Sequence, residues 1–127
     1  MAVAAWRRLG VGVEAINLEN TLLNGQCFSW TRTGDVFTSV LDGHVVNLAH
    51  RPPGKARQPL GLYYRSDGDV EGALVDYFQL GTAMGPMVEA WGAADGRLAT
   101  IADSLPGMRV LRQPPFECLI SFIASSN

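Results

Sequence analysis

The chain is 127 residues long, 47% of its residues are hydrophobic, and its formal net charge at pH 7 is −2. This length accommodates one domain, or one domain and the start of a second, and the apolar fraction is that of a globular rather than a disordered chain. No apolar run reaches the ~18–20 residues of a membrane span. The slightly negative charge argues against a protein that binds nucleic acid by charge alone.

The first strand signals lie between residues 13 and 31. Val13, Ala15 and Leu18 alternate loosely, which favours a short strand. The dipeptide Asn24-Gly25 predicts a turn. The segment 27–31 follows it and is rich in strand-forming residues, so it is predicted as the next strand.

A hairpin and a further strand are predicted over residues 36–64. Strands at 36–41 and 45–48 are joined by Asp42-Gly43, whose residues tolerate the positive φ of a type I′ turn. Residues 50–59 contain three prolines and a glycine, which predict a surface loop. A short strand then resumes at 60–64.

Helices are predicted after Asp67. Asp69 can cap a helix that contains Leu74, Val75 and Phe78. Pro86 begins a second, short helix through Trp91, and a third covers 98–105 before Pro106-Gly107 stops it. Strands first and helices later describe an α+β domain.

The last segment, PPFECLISFIASSN at 114–127, predicts a helix that is apolar on more than one side. Proline suits its first position, where no backbone N–H is needed. One face repeats at the i, i+3, i+4, i+7 spacing, with Phe116, Leu119, Ile120 and Ile123. Such a helix is normally buried between partners, so we expect a later segment to cover it and the chain to be incomplete.

The cysteines and histidines indicate no special chemistry. Cys27 and Cys118 form no CxxC and follow no secretory signal, which favours two reduced, buried thiols in an intracellular protein over a disulfide. His44 and His50 have no ligand partners at metal-binding spacing, so no metal site is predicted.

Three segments together resemble the N-terminal part of the eukaryotic-type 8-oxoguanine DNA glycosylases. They are NGQCFSW at 24–30, DYFQL with a trailing Trp91 at 76–91, and LRQPPFECLISFIASSN at 111–127. Their order and spacing are those of the family, and the resemblance covers nearly the whole chain. Taken singly, each has a plainer interpretation as a turn with a strand, an amphipathic helix and a core helix.

The resemblance implies an α+β fold in which helices flank an antiparallel sheet, as in the TATA-binding protein. It divides the chain into a mobile N-terminus at 1–12, the family's N-terminal α+β domain at 13–112, and the truncated start of a helix-hairpin-helix glycosylase domain at 113–127. Family enzymes remove 8-oxoguanine opposite cytosine from double-stranded DNA and can then nick the abasic strand. The target base must leave the stack before its glycosidic bond is reached.

The resemblance assigns Gly25 to recognition of the lesion base. Guanine N7 accepts hydrogen bonds, whereas the oxidised base carries a hydrogen there, so a glycine carbonyl aimed at N7 attracts the lesion and repels guanine. Placing a buried acceptor against another acceptor costs ~1–3 kcal/mol, so this contact gives tens to a few hundredfold discrimination. Without the resemblance, Gly25 is interpreted first as a hairpin-turn residue, and with it both roles are expected together.

The resemblance also assigns Asn127 to the orphaned cytosine, and Phe28 and Phe122 to the lesion pocket or its support. An amide both donates and accepts, which suits a base edge, although Asn127 also fits a polar helix terminus. For Phe28 we favour a packing role, and for Phe122 packing and base contact stay open.

Some residues depart from the family pattern. Ser29 stands where several relatives carry arginine, and Gly81 and Pro114 replace acidic residues. These changes describe a divergent member without touching a catalytic role.

The resemblance places the family's nucleophilic lysine and nearby aspartate in the helix-hairpin-helix part, so none of the residues here is predicted to be catalytic. Lys55 is the one lysine in the sequence, and its Pro/Gly loop does not match that motif. With Arg51 and Arg57 it forms a basic cluster that is interpreted as a solvated loop, with phosphate contact as the alternative.

The sequence therefore predicts the N-terminal part of a base-excision-repair glycosylase and lyase of the nucleus, with the mitochondrion as the alternative location. No cofactor, metal or membrane is expected, and the missing helical domain is expected to pack on residues 116–123. The chain alone should be inactive and should bind DNA with dissociation constants no better than ~10⁻⁴–10⁻⁶ M. The rival hypothesis is a non-catalytic α+β interaction module derived from the family.

Overall fold

The computed structural model describes residues 4–11 and 15–126. Its strands form one antiparallel sheet in the order β1-β5-β4-β3-β2. The strands are β1 (Arg7–Leu9), β2 (Thr31–Thr33), β3 (Val36–Leu41), β4 (His44–Ala49) and β5 (Leu62–Ser66). The helices are α1 (Leu18–Leu22), α2 (Glu71–Tyr77), α3 (Met84–Ala94), α4 (Gly96–Ser104) and α5 (Pro115–Ser125). The predicted α+β class is confirmed.

The β3–β4 hairpin forms as its turn residues predict. Asp42 and Gly43 have φ values of 51° and 77°, and Leu41 pairs directly with His44 across the turn. Positive φ at both central residues matches the right-handed twist of the two strands, which explains why a two-residue connection is sufficient.

One face of the sheet, the inner face, packs against α1 and α2. Alternate strand residues point to it and are buried, among them Phe37, Val46, Leu48, Leu62 and Tyr64. The helices contribute Leu18, Leu22, Leu74 and Phe78 to the same core. Strand alternation and the short apolar stripes of the two helices therefore build one continuous core.

The N-terminal part of the chain differs from the sequence prediction. Residues 7–9, which were assigned to a mobile terminus, form β1 and pair with β5. Residues 15–18 do not form a strand, because Asn17 caps α1 through its side-chain oxygen, which accepts from the backbone N–H of Asn20 at 2.9 Å. Val13 lies outside the described residues. A strand of three residues is too short to show a hydrophobic period in the sequence. It is therefore recognised only from its pairing with β5.

Other boundaries shift by a few residues. Of the predicted strand at 27–31 only Thr31 belongs to β2, and β5 begins at Leu62 rather than at residue 60. Asp69 is not the N-cap of α2. That position belongs to Val70, and the Asp69 carboxylate accepts a long 3.4 Å bond from the N–H of Glu71.

The three later helices bury none of their residues within the described chain. On α5, Phe116 is 76% exposed, Leu119 58% and Ile123 55%. No helix of the described residues combines the length and the apolar character that crossing a membrane requires. The helical side of the domain therefore presents a large uncovered apolar surface.

Candidate functional site

Gly25 lies in an exposed turn that follows α1. Its φ of +90° falls in the left-handed region that side chains rarely adopt, and no atom lies within 4 Å of the position that a Cβ would occupy. The Asn24 side chain supports the turn from both directions: its amide donates to the carbonyl of Asn20 at 2.7 Å, and its oxygen accepts from the N–H of Gln26 at 3.3 Å. A ligand can thus approach the Gly25 backbone closely.

Gln26 fixes this turn to the rest of the domain. Its side-chain nitrogen donates to the carbonyls of Thr21 at 2.8 Å and Arg109 at 2.7 Å, and its oxygen accepts from the N–H of Leu111 at 3.0 Å. Its own carbonyl accepts from the side chain of Gln113. One side chain therefore ties the turn both to α1 and to the segment that leads into α5.

Arg109 anchors that segment from beneath. Only 4% of Arg109 is exposed, and its guanidinium donates to carbonyls of Ala15, Phe78, Gln79 and Thr82. Burial lowers the pKa of the guanidinium below its usual range. Neither Arg109 nor Gln26 was singled out from the sequence. The features that could have indicated their role are a cation inside the apolar run MRVL and a glutamine inside the NGQCFSW segment.

Phe28 and Phe122 come together from the loop before β2 and from α5. Their ring centroids are 5.4 Å apart at an interplanar angle of 75°, an edge-to-face arrangement. Phe28 remains 51% exposed and Phe122 44% exposed. The two rings pack on each other but are not core residues, so each keeps an accessible part, and Phe28 follows Gly25 by three residues in the chain.

The buried thiol of Cys27 and the buried hydroxyl of Tyr77 are neutral. Burial is the main cause that raises the pKa of the Cys27 thiol, whose sulfur donates to the Leu22 carbonyl. Burial likewise raises the pKa of Tyr77 to about 12, and the Tyr77 hydroxyl accepts from the indole N–H of Trp30 at 3.0 Å. Because nucleophilic attack requires a thiolate, Cys27 is a packing residue here. Both cysteines are free, as predicted, although Cys118 is only half-buried.

The remaining sequence-predicted residues lie elsewhere or outside the described chain. Lys55 lines an open cleft of ≈ 500 Å³ together with Arg32, Arg51 and Glu19, and Gly25 is not part of its wall. Arg32 in this cleft forms an ion pair with Glu19 at 3.1 Å. Asn127 lies outside the described residues, so its assignment to the orphaned cytosine stays a prediction.

The histidines have structural partners. The Nε2 atom of His50 accepts from the N–H of Leu18 at 3.1 Å, and its Nδ1 lies 3.2 Å from the carbonyl of Gly61, to which it donates in the neutral ring. His44 pairs with the carboxylate of Asp67 at 3.2 Å. His50 thus joins α1 to the start of β5.

Comparison with known proteins assigns the domain to a family. Residues 8–119 match the family described as "8-oxoguanine DNA glycosylase, N-terminal domain". The N-glycosylase/DNA lyase OGG1 of Arabidopsis thaliana is 32% identical over 123 residues, which are 96% of this chain and 34% of that protein. The chain therefore spans about a third of the length of this curated relative.

Solved structures share the fold. A chain from the structure of MBOgg1 in complex with a low affinity DNA ligand superimposes with a TM-score of 0.77 at 30% identity, over all of this chain and 41% of that one. The Clostridium acetobutylicum 8-oxoguanine glycosylase/lyase, in complex with double-stranded DNA that contains cytosine opposite 8-oxoG, gives 0.73 at 25% identity, over all of this chain and 44% of that one.

Proposed function

Because the chain belongs to the 8-oxoguanine DNA glycosylase family, through the N-terminal domain of that family, we propose that it forms the lesion-recognition part of a DNA glycosylase and lyase. The substrate in this proposal is double-stranded DNA that contains 8-oxoguanine opposite cytosine. The role belongs to base-excision repair, and the nucleus is the corresponding compartment, with the mitochondrion as the alternative.

The observation that carries this proposal is the held, open turn at Gly25. Gly25 has a left-handed φ and free space at its Cα, while Gln26 beside it is bound to α1 and to the chain before α5. A carbonyl held in place in this way can distinguish the two bases at N7 after extrusion. It accepts a hydrogen bond from the N7–H of the lesion, whereas it faces the lone pair on N7 of guanine. The accessible faces of Phe28 and Phe122 supply aromatic surface next to it.

The chemical step is not assigned to this chain. Lys55, its one lysine, is in the loop between β4 and β5 and lines a cleft that excludes Gly25. A nucleophilic lysine must lose its proton in a tuned environment. We therefore place the nucleophilic lysine and its aspartate in a helix-hairpin-helix domain, of which residues 113–127 would be the start, and we expect the chain alone to be inactive.

In this proposal the helical domain packs on residues 116–123. Phe116, Leu119, Ile120 and Ile123 repeat on one face of α5 and are all about half exposed or more. Exposed apolar patches of this kind commonly mark sites of protein interaction. Phe122 on the same helix already contacts the Gly25 side of the molecule through Phe28, so α5 would connect the recognition turn to the domain that carries the chemistry.

A single-stranded oligonucleotide tests the recognition step without the cost of extruding a base from a duplex. Two otherwise identical oligonucleotides, with 8-oxoguanine or guanine at the centre, are titrated into the ¹⁵N-labelled chain. We expect tighter binding of the lesion, with shifts at the amides of residues 25–28, and weak absolute affinity in the ~10⁻⁴–10⁻⁶ M range. Equal affinity for both oligonucleotides would contradict the proposed role of the turn.

Two glycines provide a matched pair of variants. Gly25 and Gly34 are both exposed turn glycines with positive φ and no atom within 4 Å of a Cβ. Gly25→Ala is expected to remove the preference for the lesion, because the methyl group blocks close approach, whereas Gly34→Ala is expected to keep it at a similar conformational cost. Excision of 8-oxoguanine from a duplex by the chain alone would contradict the assignment of the nucleophile to a helix-hairpin-helix domain outside this chain.

A second candidate function rests on the exposed apolar face of α5. The same stripe at residues 116–123 could bind a partner protein in a non-catalytic interaction module. A stable monomer whose α5 amides resist hydrogen exchange, without any lesion preference, would favour the module. Self-association that is relieved by adding a helix-hairpin-helix domain in cis would favour the glycosylase.

A further inference from the structure

The charges of this chain are segregated, although their sum is close to zero. Residues 1–66 hold seven of the ten Lys and Arg residues and four of the twelve Asp and Glu residues; the helical remainder holds the other three cations and eight acids. The first part contains the whole sheet, and the second contains α2 to α5. The segment that forms the sheet is therefore basic and the segment that forms α2 to α5 is acidic, a distribution that net charge conceals.

The strand register gathers two of these cations on the outer face of the sheet, opposite the helices. Leu9 and Leu62 pair on the inner face and are buried, so their neighbours Arg8 and Tyr63, which also pair, point outward. The Arg8 guanidinium lies over the backbone of Gly61, where an added Cβ would be 2.9 Å from its Nε. Arg8 is itself exposed.

Arg65 continues the same face towards the middle of the sheet. Its guanidinium carbon lies 5.1 Å from the centroid of the Trp6 ring, a cation–π contact that holds the side chain against the surface. Cross-strand pairing places Asn47 beside Arg65, then Thr38 beside Asn47 and Thr31 beside Thr38. The face next to the arginines is a row of hydrogen-bonding side chains.

The Pro/Gly loop borders one end of this face. Tyr63 points outward and its hydroxyl donates to the carbonyl of Pro59 at 2.9 Å, which joins the loop to the face. Lys55 and Arg57 are exposed on that loop. Among the described residues, neither Arg8 nor Arg65 forms an ion pair.

We propose that the outer face of the sheet, defined by Arg8 and Arg65, binds the phosphate backbone of DNA away from the extruded base. Charge complementarity selects a polyanion, and the row of threonine and asparagine side chains suits phosphate and sugar oxygens rather than an apolar protein surface. The inference rests on the proposed DNA-repair function, but it concerns a surface on the opposite side of the sheet from the Gly25 turn. It gives a weakly acidic domain a basic contact for duplex DNA that is separate from the Gly25 turn.

The salt dependence of binding measures this surface directly. Two neutralised phosphates contribute about −1.8 to the slope of log K against log salt, and each lost contact changes the slope by about 0.9. We would measure binding of a lesion-free fluorescent duplex by anisotropy over a series of KCl concentrations. Arg8→Gln and Arg65→Gln are each expected to reduce the steepness by about 0.9, and the double variant by about 1.8.

Arg97→Gln is the matched control, because Arg97 is an exposed cation on α4 in the acidic half of the molecule. It should leave the slope unchanged, and Arg8→Lys should retain it because the positive charge is kept. Unchanged slopes in the double variant, or an equal loss in Arg97→Gln, would overturn the proposal. Tighter binding to anionic phospholipid vesicles than to the duplex at equal salt would also overturn it, in favour of a membrane surface.

The lesion test on Gly25 separates the two proposals. If Gly25→Ala loses the lesion preference but keeps the salt slope, both proposals are supported. The Gly25 variant then affects only lesion recognition, and the arginine variants affect only binding to the DNA backbone. Absence of any lesion preference in the wild-type chain, together with a slope that depends on Arg8 and Arg65, refutes the proposed recognition turn and leaves the backbone-binding face standing.

Discussion

Replacing Arg109 by methionine should be among the most destabilising single changes in this domain. The side chain is 4% exposed and connects its own segment to two others: the chain at Ala15 that precedes α1, and the stretch from Phe78 to Thr82 at the end of α2. Methionine has similar length and can fill the apolar part of the site, but it donates no hydrogen bond. The change therefore isolates the guanidinium donors from simple loss of volume.

The magnitude follows from the four carbonyls that lose their donor. Arg109 donates to the carbonyls of Phe78 and Gln79 from one guanidinium nitrogen, and to Ala15 and Thr82 from the other two. At about 1 kcal/mol for each hydrogen bond, the loss is ~4 kcal/mol, which is a large part of the ~5–15 kcal/mol that stabilises an ordinary domain. The burial cost of the guanidinium, which lowers the pKa of Arg109, offsets a part of this loss in the variant.

Urea denaturation followed by tryptophan fluorescence measures this effect. Arg109→Lys should be intermediate, because an ammonium offers three donors from one point and cannot reach carbonyls on three sides. Arg97→Met on the exposed surface of α4 serves as control and should change the free energy of unfolding by less than ~0.5 kcal/mol. A loss below ~1 kcal/mol in Arg109→Met would refute the assigned anchoring role.

The other predictions concern protonation, thiol reactivity and one glycine. Because the folded-state pKa of Tyr77 is raised to about 12, its contribution to stability is present below pH ~10 and is lost as the pH rises towards 12. A series of urea titrations at increasing pH should show this loss of stability, and Tyr77→Phe should remove the part of the pH dependence that Tyr77 causes. Cys118, half-buried, should react with an aromatic disulfide reagent well before Cys27, and equal rates would contradict the burial seen here. Gly107→Ala should cost more than ~2 kcal/mol, because φ is +68° and the new Cβ would be 2.7 Å from a backbone nitrogen, whereas Gly72→Ala in α2 should be neutral or stabilising.

The sequence by itself determined the features that short-range chemistry controls. Asp42-Gly43 accepts positive φ, so the β3–β4 hairpin and its register follow from two residues and the alternation around them. The period of α5 and the proline at its start predicted that helix within a residue or two. The motif around Gly25 likewise marked the turn, because only glycine is indifferent to a left-handed φ.

The tertiary structure alone decided how these pieces hold one another. Strand β1 is three residues long and exists because β5 offers it backbone partners, and neither strand's sequence specifies the other. Gln26 and Arg109 look like surface residues in the sequence, yet each meets backbone groups more than eighty residues away: Gln26 meets Arg109 and Leu111, and Arg109 meets Ala15.

The same holds for the two surfaces on which the functional proposals rest. The edge-to-face contact of Phe28 and Phe122 joins residues 94 positions apart, and the outer basic face depends on the register between β1 and β5. Polar groups are recognised as structural or functional only when their partners are known, because a hydrogen bond or a charge has no sequence period of its own. The sequence therefore identified the turn at Gly25, and the packed structure supplied the contacts that fix it in place.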